Sequence, residues 1–220
     1  DVVAIGTTHF TGANEPIMDQ TAVVTVKSIV LSNESNKGVK LLITNNYNLV
    51  ITDVLFIKAG TTFENEGSDI ILQGSMVNHG TYSETEYIKN KGRKGRFYPS
   101  VEMSGTGTIS GNVVSTFSHL KVTGSVTLVQ DILIRTRNIN PNGQNAQPTS
   151  DLTIVGTFNP ALKKVTFVGN GATATTPADA SNSLIVEPGG TLMVMAPTYG
   201  ANYSIEPTTM TEASIVNYAA

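Results

Sequence analysis

The sequence predicts an all-β protein, and within that class a parallel β-solenoid (β-helix) with loop insertions. Three observations carry this. Apolar and polar residues alternate along most of the chain, which is the period of a strand rather than of a helix. The alternating runs are short, rich in Val, Ile and Thr, and bounded by Gly, Asn, Asp or Pro. The runs also recur around glycine turns, so that the chain resembles itself along its length.

The elements follow in order. Val24, Val26 and Ile29 begin the series, then Leu41 and Ile43 in VKLLIT, and Leu49, Ile51 and Val54 in NLVITDVLFI. Ile70, Leu72 and Met103 continue it. Leu120 and Val122 (LKVTG), Val126 and Leu128 (VTL), and Ile132 and Ile134 (ILI) form its middle. Leu152 and Ile154, Val165 and Phe167, Leu184 and Val186, and Leu192 and Val194 close it. The one helix candidate is TMTEASIVNYAA at the C-terminus, whose threonines also suit a last strand.

The repeating unit reads apolar-x-apolar-x-x-Gly-x-x-apolar-x-apolar, as in LFIKAGTTFENEG, HLKVTGSVTLVQD and SLIVEPGGTLMVMA. Glycine turns recur every 6–7 residues or so, inside a larger unit of about 20–35. A single coil of this kind cannot bury its inward side chains. Stacked coils bury a continuous column of Val, Ile and Leu, with Gly or Asn at the corners. ITNNYN (43–48), FENEG (63–67) and MVNHG (76–80) are candidate corners. The competing architecture is a β-sandwich or jelly roll, which also strings short alternating strands together. One all-β domain over residues 1–220 is expected, interrupted at 82–100, 137–150 and 169–183. In a solenoid such stretches leave at a corner and collect on one side, where loops escape the packing constraint.

Composition narrows the function classes. The net charge of −3 leaves no whole-molecule footprint for nucleic acid, and charged residues make up only 14%. There is no cysteine, so thiolate chemistry, disulfides and cysteine zinc sites are excluded. No run approaches about 18 apolar residues, so no transmembrane helix is expected. The opening DVVAIGTTHF has neither the basic stretch nor the apolar segment of a signal peptide, which leads to the expectation of a mature or trimmed chain.

Two segments carry a resemblance. One contains Gly107, Ile109, Gly111, Phe117, Leu120, Val122 and Gly124; the other contains Phe158, Pro160, Val165, Phe167 and Gly169. Together they resemble the Thr/Asn/Gly-rich β-repeats of large, adhesin-like cell-surface proteins of the Bacteroidetes, over about half of the chain. The resemblance implies a secreted, β-helical module at the bacterial cell surface, often exported by the type IX route. It brings no catalytic residues. β-rich phage fibres share the same vocabulary.

The densest local feature is YIKNKGRKGRFYPS, residues 87–100. Lys89, Lys91, Arg93, Lys94 and Arg96 are five of the chain's 14 positive charges, set among Tyr87, Phe97 and Tyr98. Aromatic rings stack on sugars, and guanidinium groups take anions in bidentate fashion, so these eight residues are the candidate binding set for an anionic ligand. The same lysines and arginines would also protect a strand edge, and SETE (83–86) upstream can offset their charge. Elsewhere the signals thin out. His9, His79 and His119 show no metal-ligand spacing. Asp53 with Asp69, and Asp131 with Asp151, are the carboxylate pairs that neighbouring coils would have to bring together for glycosidic chemistry. Glu64, Glu66 and Asp69, and separately Asp179, are candidate calcium ligands, without an EF-hand pattern. MSGTGTISGN is glycine-dense but leads into strands, so it lacks the helix N-terminus of a phosphate cradle.

The expectation is therefore a non-catalytic, extracellular structural or adhesive module. It would bind carbohydrate or a surface protein and could associate with itself through strand edges. The alternatives are a polysaccharide-active β-helix lyase or hydrolase and a phage receptor-binding fibre.

Overall fold

The structure, a computed structural model, describes residues 8–10, 23–32, 39–44, 48–66, 68–85, 87–88, 96–97, 99–135, 152–168, 183–207 and 209–219. Strand β1 (Thr8–Phe10) is followed by β2 (Val23–Leu31) and β3 (Val39–Thr44), which form the first full coil. The second coil is β4 (Asn48–Ile57) and β5 (Thr61–Glu66); the third is β6 (Ile70–Leu72), β7 (Ser75–Asn78) and β8 (Thr81–Glu84). A hairpin of β9 (Tyr87–Ile88) and β10 (Arg96–Phe97) intervenes. The fourth coil is β11 (Ser100–Met103), β12 (Thr106–Gly111) and β13 (Ser115–Phe117); the fifth is β14 (His119–Val122), β15 (Ser125–Leu128) and β16 (Ile132–Arg135). The sixth is β17 (Leu152–Ile154), β18 (Thr157–Asn159) and β19 (Val165–Val168). The seventh is β20 (Leu184–Val186), β21 (Thr191–Val194) and the short helix α1 (Tyr199–Asn202); β22 (Thr209–Met210) and β23 (Ile215–Tyr218) form a partial eighth.

Among the described residues every inter-coil pairing is parallel, and only the β9–β10 hairpin is antiparallel. This is a parallel β-solenoid, as the sequence predicted. The first strand of each coil stacks on the first strand of the next, and likewise for the second and, apart from a break between β8 and β13, the third, giving three faces. β2 and β4 are long because they run through the first and second faces without a break.

The core is a set of columns. On the first face Ile51, Leu72, Met103, Val122, Ile154, Val186 and Met210 are successive register partners. On the second, Val126, Phe158, Leu192 and Val216 follow one another. On the third, Phe63 pairs with Tyr82, whose ring lies 5.5 Å from that of Phe117; Phe117, Ile134 and Phe167 then continue. All but Met210 and Val216 are buried. Each such side chain contributes about 1.5–3 kcal/mol by leaving water. In the eighth coil Met210 and Tyr218 are 46% and 64% exposed.

Glycines stack where the first face turns into the second. A Cβ on Gly124 would fall on the carbonyl oxygen of Gly105, and one on Gly156 on that of Gly124. The coils approach this closely because Gly105 O and Gly124 O accept the amides of Ser125 and Thr157 one coil on. Asparagines hold other turns. Asn65 closes the turn after β5 by donating to Ser68 O and accepting from Ser68 N, and buried Asn78 donates to Val113 O and Ser115 Oγ one coil away.

Three expectations need correction. Val54 lies outward: β4 turns the corner at Asp53, and the inward phase moves to Leu55 and Ile57. Residues 82–84 belong to β8, with Tyr82 in the core, so the first insertion is shorter than 82–100. The C-terminal helix candidate is two strands, because pairing with β20 and β21 outweighs local helix propensity. A turn separates them at Ala213, whose φ is 65°.

Three tyrosine hydroxyls are held above the ordinary phenol value of 10.0. Burial is the main cause in each, followed by the charge of Glu84 at Tyr82, of Glu206 at Tyr199, and by Tyr199 at Tyr203. Folded and unfolded chains both keep these protons below about pH 10, so the stabilisation is complete there. Above it the unfolded chain releases protons that the folded one retains, and stability falls. Urea midpoints are expected to hold level from about pH 7 to 9 and to drop beyond 10, less steeply in Tyr203→Phe. A wild-type midpoint unchanged at about pH 12 would contradict this.

Candidate binding edge

The corner that returns the chain from the third face to the first differs from the other two. Between β8 and β11 the chain spends residues 85–99, between β16 and β17 residues 136–151, and between β19 and β20 residues 169–183. These three excursions therefore leave and rejoin at one edge, on the third, fifth and sixth coils, the same edge at which residues 11–22 join β1 to β2. Coil length varies accordingly, from 19 residues (Met103 to Val122) to 32 (Val122 to Ile154), while the ladder stays in register.

The base of this edge is built from short polar side chains. Asp69 immediately precedes β6, Ser100 and His119 begin the first-face strands of the next two coils, and Ser100 pairs with His119. Ser100 donates from both N and Oγ to Asp69 Oδ1, at 3.0 and 2.8 Å. At the end of the third coil, Glu84 is 7% exposed. It accepts the Tyr82 hydroxyl on Oε1 and the Ser118 amide on Oε2, each at 2.6 Å. The second of these contacts ties the third coil to the fourth, where the third-face ladder itself is interrupted between β8 and β13. A carboxylate and a phenol buried at the foot of an insertion thus brace its departure point. The alternation of TYSE, in which Tyr82 and Glu84 share the inward phase, is the signal that locates this pair.

The hairpin leaves here. Its register places Phe97 opposite Tyr87 and Arg96 opposite Ile88. Lys89, Lys91, Arg93 and Lys94 fall between its strands, and these four, with Tyr98, lie outside the described residues. The basic stretch is therefore carried between two paired strands rather than by a plain loop.

The other candidates are dispersed. Asp53 accepts Ser28 Oγ at the first-to-second corner, while Asp69 lies at the third-to-first corner, so the two do not meet. Asp131 accepts the amide of Lys164 ahead of β16; Asp151 lies outside the described residues. Glu64 Oε1 accepts Thr85 Oγ1, Glu66 ends β5, and Asp179 lies outside the described residues. Among the described residues no group of three or more His, Asp or Glu side chains converges as a metal site. His79 Nδ1 lies 2.9 Å from Asn112 Oδ1, and its ring packs against Phe56 at the second-to-third corner. His9 stands in β1. No described helix is long and apolar enough to cross a membrane.

Compared with protein-family models, with curated proteins and with solved structures, the chain shows no match.

Proposed function

We propose that this chain is a structural and adhesive module of a bacterial cell surface, working outside the cell without catalysis. In this reading the return edge binds an anionic carbohydrate or an acidic surface protein. The observation that carries it is the collection of the three long insertions at one edge, the first of them the basic hairpin. Neighbouring coils are about 4.8 Å apart, so the insertions are spread along the edge at intervals that suit an extended polymer. The separation of Asp53 from Asp69 favours binding over hydrolysis, which needs two carboxylates at one bond. Self-association through strand edges belongs to the same reading.

The test is a glycan array probed with the wild type and with a variant in which Lys89, Lys91, Arg93, Lys94 and Arg96 are all serine. The expected result is binding to sulfated or uronic glycans that weakens with salt and falls at least about tenfold in the variant. Equal binding by both proteins would remove the hairpin from the site. No binding by either would sink the carbohydrate reading.

A further inference from the structure

The second face differs in kind from the edge. β7, β12, β15, β18 and β21 contain not one Asp, Glu, Lys or Arg, whereas the first face carries Glu102 and Lys121, an ion pair at 3.4 Å. In place of charge, most outward positions hold small polar side chains, eight of which form two columns; Val77 and Met193 are outward too and are apolar. Thr106, Ser125, Thr157 and Thr191 are successive register partners in one. Ser75, Thr108, Thr127 and Asn159 make the other, with Thr108 bonded to Ser75 through its amide and its hydroxyl. Seven of these eight residues carry a hydroxyl, and all are exposed or half-exposed.

The geometry is set by the ladder. Along a column the repeat is the strand spacing, about 4.8 Å, and across the pair it is two residues of strand, about 6.6 Å. The first length is close to one oxygen repeat on the prism face of ice, and the second is somewhat shorter than the other. The array is also rigid. Threonine has few side-chain rotamers, and the buried column of Val126, Phe158 and Leu192 backs it. A rigid array loses little entropy when it meets an ordered surface. Charged groups would hold water in shells of the wrong geometry, and here they are missing. The columns also hold no aromatic ring, the group that a sugar-binding face uses for stacking.

We infer that the second face binds ice, its hydroxyl and methyl groups holding water in the crystal's own spacing. Recrystallisation of polycrystalline ice, followed with the wild type and with Thr108→Lys/Thr127→Lys, tests this. Both positions are outward, so the variant is expected to keep the wild-type circular dichroism and melting temperature. The wild type should slow grain growth, and the variant should need at least about tenfold more protein for the same effect. The serine variant of the basic hairpin should act as the wild type does, which separates this face from the edge proposed above. Three results would each overturn the inference: no effect of the wild type at about 1 mM, full activity in the lysine variant, or adsorption to cellulose or chitin powder without any effect on ice.

Discussion

Gly124→Ala is expected to destabilise the protein by about 3 kcal/mol or more, above the usual range for an overpacked site. The added methyl meets a backbone carbonyl, Gly105 O, rather than the movable end of a side chain. That oxygen accepts the Ser125 amide and cannot withdraw without breaking the ladder. Gly156→Ala should behave alike, since its Cβ would fall on Gly124 O. Gly200→Ala supplies the control. Its Cβ would meet nothing within 4 Å, and it lies in α1, where alanine is favoured over glycine by about 0.5–1 kcal/mol. Urea denaturation of the three variants decides the matter. Similar midpoints for Gly124→Ala and Gly200→Ala would show that the coils can separate at that corner at little cost.

The second large effect is expected at Asn202. This residue is fully buried and uses its whole amide. Its Oδ1 accepts the amides of Met195 and Ala196, and its Nδ2 donates to the carbonyls of Ala161 and Lys163. It pins the seventh coil to the corner of the sixth at the point where a helical turn stands in for a third-face strand. Asn202→Leu leaves four backbone groups without this partner, and the loss should be about 3 kcal/mol or more. Asn202→Asp keeps the shape but turns both donors into acceptors facing carbonyls. It is expected to be worst at neutral pH and to recover in part on acidification, as the buried carboxylate takes a proton. A midpoint for Asn202→Leu within about 0.5 kcal/mol of wild type would show that water replaces the amide.

Much of this architecture is legible in the residue pattern, and what is not has definite causes. The first face reads directly, because Leu49, Ile51, Leu120, Val122, Leu152 and Ile154 alternate cleanly with polar residues. The glycine corners read as well, since close approach of two backbones leaves no other residue type. The third face is harder. TTFENE, TYSE and STF look polar, yet Phe63, Tyr82 and Phe117 fill the interior. One large ring per strand does the work of two aliphatic side chains and leaves little periodicity. Val54 is misassigned because a corner inside a continuous strand shifts the inward phase without any glycine to mark it. Helix α1 has four residues, too few to show a helical period. For the candidate binding edge, the basic run stands out in sequence, but that residues 136–151 and 169–183 leave the coils at the same edge follows only from strand register.

That shared edge has a consequence for how such a molecule can change. Lengthening a connection costs slowly growing closure entropy, about 0.6 kcal/mol for each doubling. Because the excursions start and finish at the same corner, their length never enters the register of the coils. The glycine corner admits not even one methyl, whereas the return corner admits a dozen residues. Mutation can therefore rewrite the contents of that edge while the scaffold stays as it is, and new specificities can arise without refolding anything beneath them.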